Sequence, residues 1–284
     1  MNARRLPMRI DPAPDAVDPE LEPLLGESFA RAWAADDANA SAAGAALRRR
    51  LLERLSASRS ASGAMVTARR ARLAPSELAP GVRARILYLA PGERPLRAGE
   101  PLRVRLIELQ AGARWSDDDA SRDREWLVLQ GSVLLDGQRL RLRDYHRASA
   151  GAAAQVLAVD GRAVVFLRES RLPPDAADQG CTVRDADAGW PQYAPGIRRR
   201  VLWQRDGQAA MLYHAGAGAS IPLHRHDHDE ECLMVQGELF LDDVLLQPGD
   251  YQLAPAGTAH RITETDTGVV IFAHGDLELK FIAA

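Results

Sequence analysis

Much of this sequence occurs twice. Ala79-Pro80-Gly81-Val82-Arg83-Ala84-Arg85-Ile86-Leu87 returns as Ala194-Pro195-Gly196-Ile197-Arg198-Arg199-Arg200-Val201-Leu202. Leu127-Val128-Leu129-Gln130-Gly131 returns as Leu233-Met234-Val235-Gln236-Gly237, Asp144-Tyr145 as Asp250-Tyr251, and Val164-Val165-Phe166 as Val270-Ile271-Phe272. From Gly112 to Ser170 a single offset of 106 residues aligns the copies without a gap. Each copy is a series of short apolar runs broken by Gly and Pro, the pattern of an all-β unit. We therefore read residues 65–172 and 173–284 as two copies of one all-β unit, linked through residues 171–189.

Residues 1–64 have a different texture. Leu21, Leu24, Leu25, Phe29 and Trp33 recur at helical spacing after Asp18-Pro19-Glu20, a suitable helix start. A second helix is predicted from about Ser41 to Ala57, with Leu47, Leu51, Leu52 and Leu55 on one side and Arg48, Arg49, Arg50 and Arg54 on the other. Residues 58–64 read as a linker. The formal net charge of -3 argues against a nucleic-acid partner that needs a basic surface. No apolar run approaches the length of a membrane span, and MNARRLPMRIDPAP lacks the apolar stretch of a secretory signal. With only Cys181 and Cys232, no disulfide framework is expected, which fits a reducing cytoplasm.

The chemistry concentrates in the second copy, where six of the seven histidines lie between His214 and His274. His224 and His226 are two apart, so on a strand both imidazoles share a face. Asp227, His228 and Asp229 read as a polar turn, and Glu230 opens the apolar run Cys232-Leu233-Met234-Val235. A carboxylate there can face back toward the imidazoles. Gly249 and the Pro255-Ala256-Gly257 turn bracket another strand, followed by His260. Three imidazoles and one carboxylate on neighbouring strands suit a divalent transition metal: zinc, iron, manganese or nickel. His228 reads as solvated, and His214 and His274 as hydrogen-bonded rim or core residues. Asp227, Asp229, Glu231 and Glu264 are candidates to hold the ligands' second nitrogens. Cys232 shares the face of Glu230 and should point inward, as a small buried apolar group or as an oxidant-responsive thiol. Cys181 in the link has no evident role.

Gly218-x5-His224-x-His226-x3-Glu230-x6-Gly237 resembles the first motif of the cupin superfamily, and Gly249-x5-Pro255-x-Gly257-x2-His260 its second. The family often carries Asn four residues after the last histidine; here Glu264 stands there. The resemblance implies an all-β fold of two tandem cupin (double-stranded β-helix, jelly-roll) barrels after a short α-helical segment, with His224, His226, Glu230 and His260 as metal ligands. Under the 106-residue offset, these ligands correspond to Asp118, Ala120, Arg124 and Ala154 in the first copy. His146 aligns with Gln252 instead of a ligand. The first barrel is therefore expected to bind no metal. Asp117, Asp118, Asp119, Arg122, Asp123 and Arg124 read first as a charged solvent loop; the sharper alternative is an Asp118–Arg124 pair tying the barrel mouth.

More particularly, the chain resembles the cupin-containing anti-sigma proteins of the ChrR type. The likeness rests on the helix Ala45–Leu55, on the Ala-Pro-Gly-Val/Ile-Arg lead-in strand of both copies, and on His224-Arg225-His226-x3-Glu230-Glu231 followed by Pro255-Ala256-Gly257-Thr258-Ala259-His260. It implies a zinc-binding sensory barrel acting in transcription regulation, with a small molecule or oxidant as ligand and a sigma factor as partner. The family's sigma-binding His-x3-Cys-x2-Cys motif is absent, because no His or Cys precedes His146. A metal-dependent dioxygenase acting on a small organic molecule fits the same ligand set, with Glu238, Tyr213 and His214 as acid or base candidates. An epimerising or isomerising cupin would need more bases and aromatic platforms than this chain offers. Cupins also imply a homodimer through strand edges, although two fused barrels can cover each other's edges.

Overall fold

A computed structural model describes residues 63–282 except 93–95, 118, 152–153 and 176–179, together with Arg49, Arg50 and Glu53. The chain divides into two compact units, Met1–Ala57 and Ser58–Ala284. In the first, Arg49, Arg50 and Glu53 are helical. Arg49 Nε lies 3.9 Å from Glu53 at the (i, i+4) spacing of a solvated helix face. The rest of the two predicted helices lies outside the described residues.

The second unit is nearly all strand, and the sequence repeat becomes a structural one. The first barrel has a seven-stranded sheet in the order Cys181–Val183, Tyr145–Ala148, Asp123–Gln130, Ala163–Ser170, Pro101–Leu109, Val82–Leu89, Ser76–Ala79. A four-stranded sheet accompanies it: Arg114–Asp117, Ala154–Ala158, Ser132–Leu135, Gln138–Arg141. The second barrel repeats the pattern with Val66–Ala68, Tyr251–Ala254, Glu230–Gly237, Val269–Asp276, Gln208–Ala215, Ile197–Arg205 and Gln192–Ala194. Its four-stranded sheet is Ala219–Ile221, Thr263–Thr265, Leu239–Leu241, Val244–Leu246. A further three-stranded sheet joins Ala259–His260, His224–Arg225 and Lys280–Phe281. Registers repeat too: Arg124 pairs with Ala148 as Glu230 pairs with Ala254.

Each barrel lends a strand to the other. Val66–Ala68, at the start of the first copy, pairs with Tyr251–Leu253 of the second. Cys181–Val183, in the link, pairs with Tyr145–Arg147 of the first. An aspartate fixes each exchanged strand at the same place. Asp250 accepts the Arg70 N–H and an Arg69 guanidinium N–H, both at 2.9 Å. Asp144 accepts the Asp185 N–H at 2.8 Å and an Arg184 guanidinium N–H at 3.0 Å. The exchanged strands cover sheet edges that would otherwise present unpaired backbone groups.

The large sheets are buried on both faces, which explains runs such as Ala163-Val164-Val165-Phe166-Leu167 with no polar alternation. Trp126, Val128, Val165 and Leu167 fill the first barrel, and Cys232, Met234 and Met211 fill the second. Their neighbours on the opposite face, Leu127, Phe166, Leu233 and Phe272, form one core shared by both barrels. Phe166 and Phe272, equivalent under the repeat, meet at 5.1 Å between ring centroids. Burying each such ring is worth roughly 1.5–3 kcal/mol. At the same junction Arg168 reaches Glu125 through Nη1 at 2.8 Å and Glu231 through Nε at 2.6 Å. Tyr145 and Tyr251 donate to these two carboxylates at 2.8 Å each. The cluster is polar but well hydrogen-bonded, as a buried ionic group must be to persist.

Candidate metal centre

His224 sits on a two-residue strand directly opposite His260. Two residues on, the His226 carbonyl accepts the Gly257 N–H at 2.7 Å and its N–H donates to Thr258 O at 3.1 Å, so the Pro255-Ala256-Gly257 turn is stitched to the ligand strand. Gly257 adopts φ 86°, a left-handed conformation that glycine takes without strain. The imidazole centroids lie 5.0 Å (His224–His226), 5.2 Å (His226–His260) and 5.7 Å (His224–His260) apart. Glu230 Oε2 is 3.2 Å from His226 Nε2 and 3.3 Å from His260 Nε2. One donor atom each from His224, His226 and Glu230 falls within 4.8 Å of the others. The fold thus gathers all four side chains singled out in the sequence, and the three histidines are buried.

The donor set fits a metal ion. Both ring nitrogens of His226 are buried without a hydrogen bond, Nε2 having only the close approach of Glu230 Oε2. Leaving a buried polar atom unpaired costs about 1–3 kcal/mol, which a metal–nitrogen bond would remove. His224 Nδ1 lies 2.8 Å from the Pro222 carbonyl, an arrangement that places the proton on Nδ1 and directs Nε2 inward. Burial alone would raise the Glu230 carboxyl, but the His226 and His260 imidazoles outweigh it and hold it at about 2. Burial likewise opposes the His260 imidazolium, but Asp242 and Glu230 raise it to about 9. Burial lowers His226 despite Glu230 beside it.

None of the four acids expected to orient the ligands does so. Asp227 pairs with Lys280, and Asp229 accepts the Ala256 N–H at 2.8 Å. Glu231 points away, to Arg168 and Tyr251, because successive residues on a strand face opposite sides. Glu264 is exposed on the strand Thr263–Thr265. The position is filled by Asp242, whose Oδ2 is 3.5 Å from His260 Nδ1 and whose Oδ1 accepts the Arg261 N–H at 2.8 Å. Asp242 lies far from His260 in sequence, but the repeat carried the signal. Asp136, its equivalent, has the same left-handed backbone (φ 49° against 53°) and accepts the Gln155 N–H at 2.8 Å.

The remaining histidines stay outside the cluster. His228 is part-exposed and bonded to Asp276, which also accepts the Asp227 N–H at 2.6 Å and so fixes the turn. His214 meets the edge of Trp190, His146 bonds Thr182, and His274 is buried at the barrel junction, stacked on Trp203. A cavity of about 60 Å³ opens on His224 and Glu230 and is otherwise walled mostly by apolar groups such as Ile197, Leu239, Leu241 and Val269. Cys232 lines it, on the face of Glu230 as its spacing predicted. Burial pushes the Cys232 thiol up, with Glu230 adding to the effect, and it pushes up the Tyr213 hydroxyl in the same wall. Neither Glu238 nor His214 reaches this cavity.

The corresponding end of the first barrel is built from ion pairs. Arg124, at the position of Glu230, is 1% exposed. Its guanidinium bonds the carbonyls of Asp117 and Asp119 and lies 3.8 Å from the Asp117 carboxylate. Asp117 and Asp123 are buried as well, paired with Arg105 at 3.1 Å and Arg147 at 3.2 Å. The expected solvated loop is therefore corrected: opposite charges within reach let most of this segment turn inward. Asp118, the other half of the predicted tie, lies outside the described residues.

No curated protein sequence matches the chain. Residues 178–278 match the ChrR cupin-like domain family. Among solved structures, a candidate dioxygenase of Nostoc punctiforme superposes with TM-score 0.59 at 15% identity, covering 77% of this chain and 81% of that one. A candidate glyoxylate-induced protein of Pseudomonas aeruginosa gives 0.60 at 14%, covering 78% and 92%. The formate complex of Lactobacillus farciminis oxalate decarboxylase gives 0.57 at 13%, covering 77% and 88%. At such identities the likeness is one of fold. No helix among the described residues is long and apolar enough to cross a membrane. Residues 178–278 thus match the ChrR cupin-like domain family, and the fold around them is a tandem pair of barrels like those of the cupin structures it superposes on.

Proposed function

We propose that the second barrel holds one divalent metal ion, zinc foremost, through His224, His226, Glu230 and His260, and that the chain is a ChrR-like sensory protein of transcription regulation. One observation carries the preference for sensing over catalysis: the space beside the donor cluster. At about 60 Å³ it suits a diatomic molecule, a peroxide or a water or two, and is small beside the ~150 Å³ that takes up a benzene ring. Besides the proposed ligands, the ionisable groups in its wall are Tyr213 and Cys232, and burial keeps both protonated at neutral pH. A bound metal would act as a Lewis acid toward whatever enters. The chain's own residues bind the ion, exclude bulk water and place a neutral thiol in the same wall. A sigma factor is the partner the resemblance implies, but the His-x3-Cys-x2-Cys motif through which that family binds it is absent from this sequence, and the predicted helices of residues 1–57 lie outside the described residues except at Arg49, Arg50 and Glu53.

A second reading, a metal-dependent dioxygenase, is favoured by the cavity opening directly on Glu230 and His224. Two measurements separate the readings: the number of exchangeable waters on the bound metal, and oxygen consumption with small organic acids. Zinc without an exchangeable water, and no oxygen uptake, is the expected result. Iron or manganese with open positions and substrate-dependent oxygen uptake would replace the sensor with the oxygenase.

A further inference from the structure

The first barrel carries a cleft of about 660 Å³ between the end of Val82–Leu89, the 96–103 segment and the chain leaving the barrel at 171–173. One wall is cationic. Arg97, Arg103, Arg122 and Arg171 line it against a single lining carboxylate, Glu100. Glu100 is turned back on its own segment, where it accepts the Arg97 N–H at 2.8 Å. The other wall is apolar, with Leu89 58% exposed beside Leu102 and Leu172.

These arginines are set in place before any ligand arrives. Glu169, fully buried, accepts from Arg103 through Nε and Nη2 and from Arg122 through Nη1 at 2.9 Å, and lies 3.1 Å from Arg105. One carboxylate fixes three guanidiniums, of which Arg105 is also paired with Asp117. Arg122 also reaches Asp119 at 2.9 Å, and its Nε is buried without a hydrogen-bond partner. Arg171 is exposed and makes no ion pair with a described residue. Guanidinium forks match carboxylate geometry and bind it bidentately. The adjoining apolar wall adds affinity only for an anion with an apolar body.

We propose that this cleft is a binding site for a small organic carboxylate with an apolar body, distinct from the metal centre of the other barrel. The site has a route to that centre. Arg97 Nη2 donates to Asp229 Oδ1 at 2.7 Å, and the same oxygen accepts the Ala256 N–H. Asp229 sits in the turn between His226 and Glu230. A carboxylate that draws Arg97 into the cleft takes away one hold on that turn. This second step rests on the metal reading above; the binding site does not.

The test is calorimetric titration of the full chain with benzoate and, separately, with inorganic phosphate, in metal-free and zinc-loaded forms. Benzoate is expected to bind both forms, more tightly than phosphate. Arg171→Ala, at an exposed position, is expected to weaken benzoate roughly tenfold, the loss of one charge-assisted hydrogen bond. Arg103→Lys should weaken it similarly, because it keeps the charge and loses the fork. Benzoate binding unchanged in both variants, binding no tighter than phosphate, or no binding at all would each overturn the cleft, whatever the metal content. In the zinc-loaded wild type, benzoate should speed zinc transfer to a chelator, and Arg97→Gln should abolish the acceleration. Benzoate that binds without changing zinc transfer would overturn the coupling alone.

Discussion

Arg124 and Glu230 occupy one position in two copies of the same barrel, with the same strand register, and lead to opposite chemistry. Around Glu230 stand three imidazoles; around Arg124 stand carbonyls and carboxylates. The neighbouring strand explains how each is tolerated. Glu169, cross-strand from Arg124, is the carboxylate that gathers the arginines. Its equivalent is Gly275, where an added Cβ would lie 3.2 Å from the Glu230 Cα, so a side chain there would crowd the proposed metal ligand. The scaffold can therefore hold a charged cluster at the barrel end in two ways. One leaves buried ring nitrogens unpaired for a metal; the other closes on itself with ion pairs.

The largest expected effect concerns what the barrels share. Arg168→Met leaves Glu125 and Glu231 facing each other unpaired, and breaking a buried pair in this way costs about 3–5 kcal/mol. Because one core spans both barrels, chemical denaturation should show the second unit losing stability as a whole. A variant in which one barrel melts early and the other is unchanged would break the picture of a common core.

Next comes the ligand set itself. A full zinc ligand set contributes about 10–16 kcal/mol, so His226→Ala, removing one of four ligands, should cost on the order of 3 kcal/mol, roughly a hundredfold in affinity. Competition with a chromophoric chelator measures it. The paired aspartates sharpen the contrast further. Asp242→Asn should weaken metal binding about 10–100-fold, as loss of a ligand's outer partner does. Asp136→Asn, the same change in the first barrel, should leave metal affinity untouched and alter only the turn that Gln155 closes.

Much of this was legible in the sequence because repeats and spacing are local. Alternation placed Cys232 on the face of Glu230, and the 106-residue offset paired Arg124 with Glu230. What spacing could not supply was partners distant in sequence. Glu231 looked like a helper of the ligands because it adjoins Glu230, yet its true neighbours are Arg168 and Tyr251. Asp242 was hidden because it reaches His260 through a turn, not along a strand. The charged segment 117–124 read as solvated because Arg105 and Arg147, which neutralise it, lie on other strands. The strand exchange between barrels left no mark in periodicity at all.

The smallest effect is on acid stability. Burial opposes the Glu169 charge, but Arg103, Arg105 and Arg122 outweigh it and hold the carboxyl below its ordinary value of 4.5. The unfolded chain therefore takes up that proton first as pH falls. The stabilisation is complete above about pH 4.5 and is lost progressively below it. Glu169→Gln should flatten this acid limb in denaturation curves taken at successive pH values. An unchanged slope would remove Glu169 as its source.

The most direct test of the two-barrel contrast is metal stoichiometry of the full chain loaded with zinc and desalted, compared with a Glu230→Gln, His226→Ala double variant. One equivalent in the wild type and none in the variant is the predicted result. Two equivalents in the wild type, or one surviving in the variant, would contradict the assignment of the site to His224, His226, Glu230 and His260.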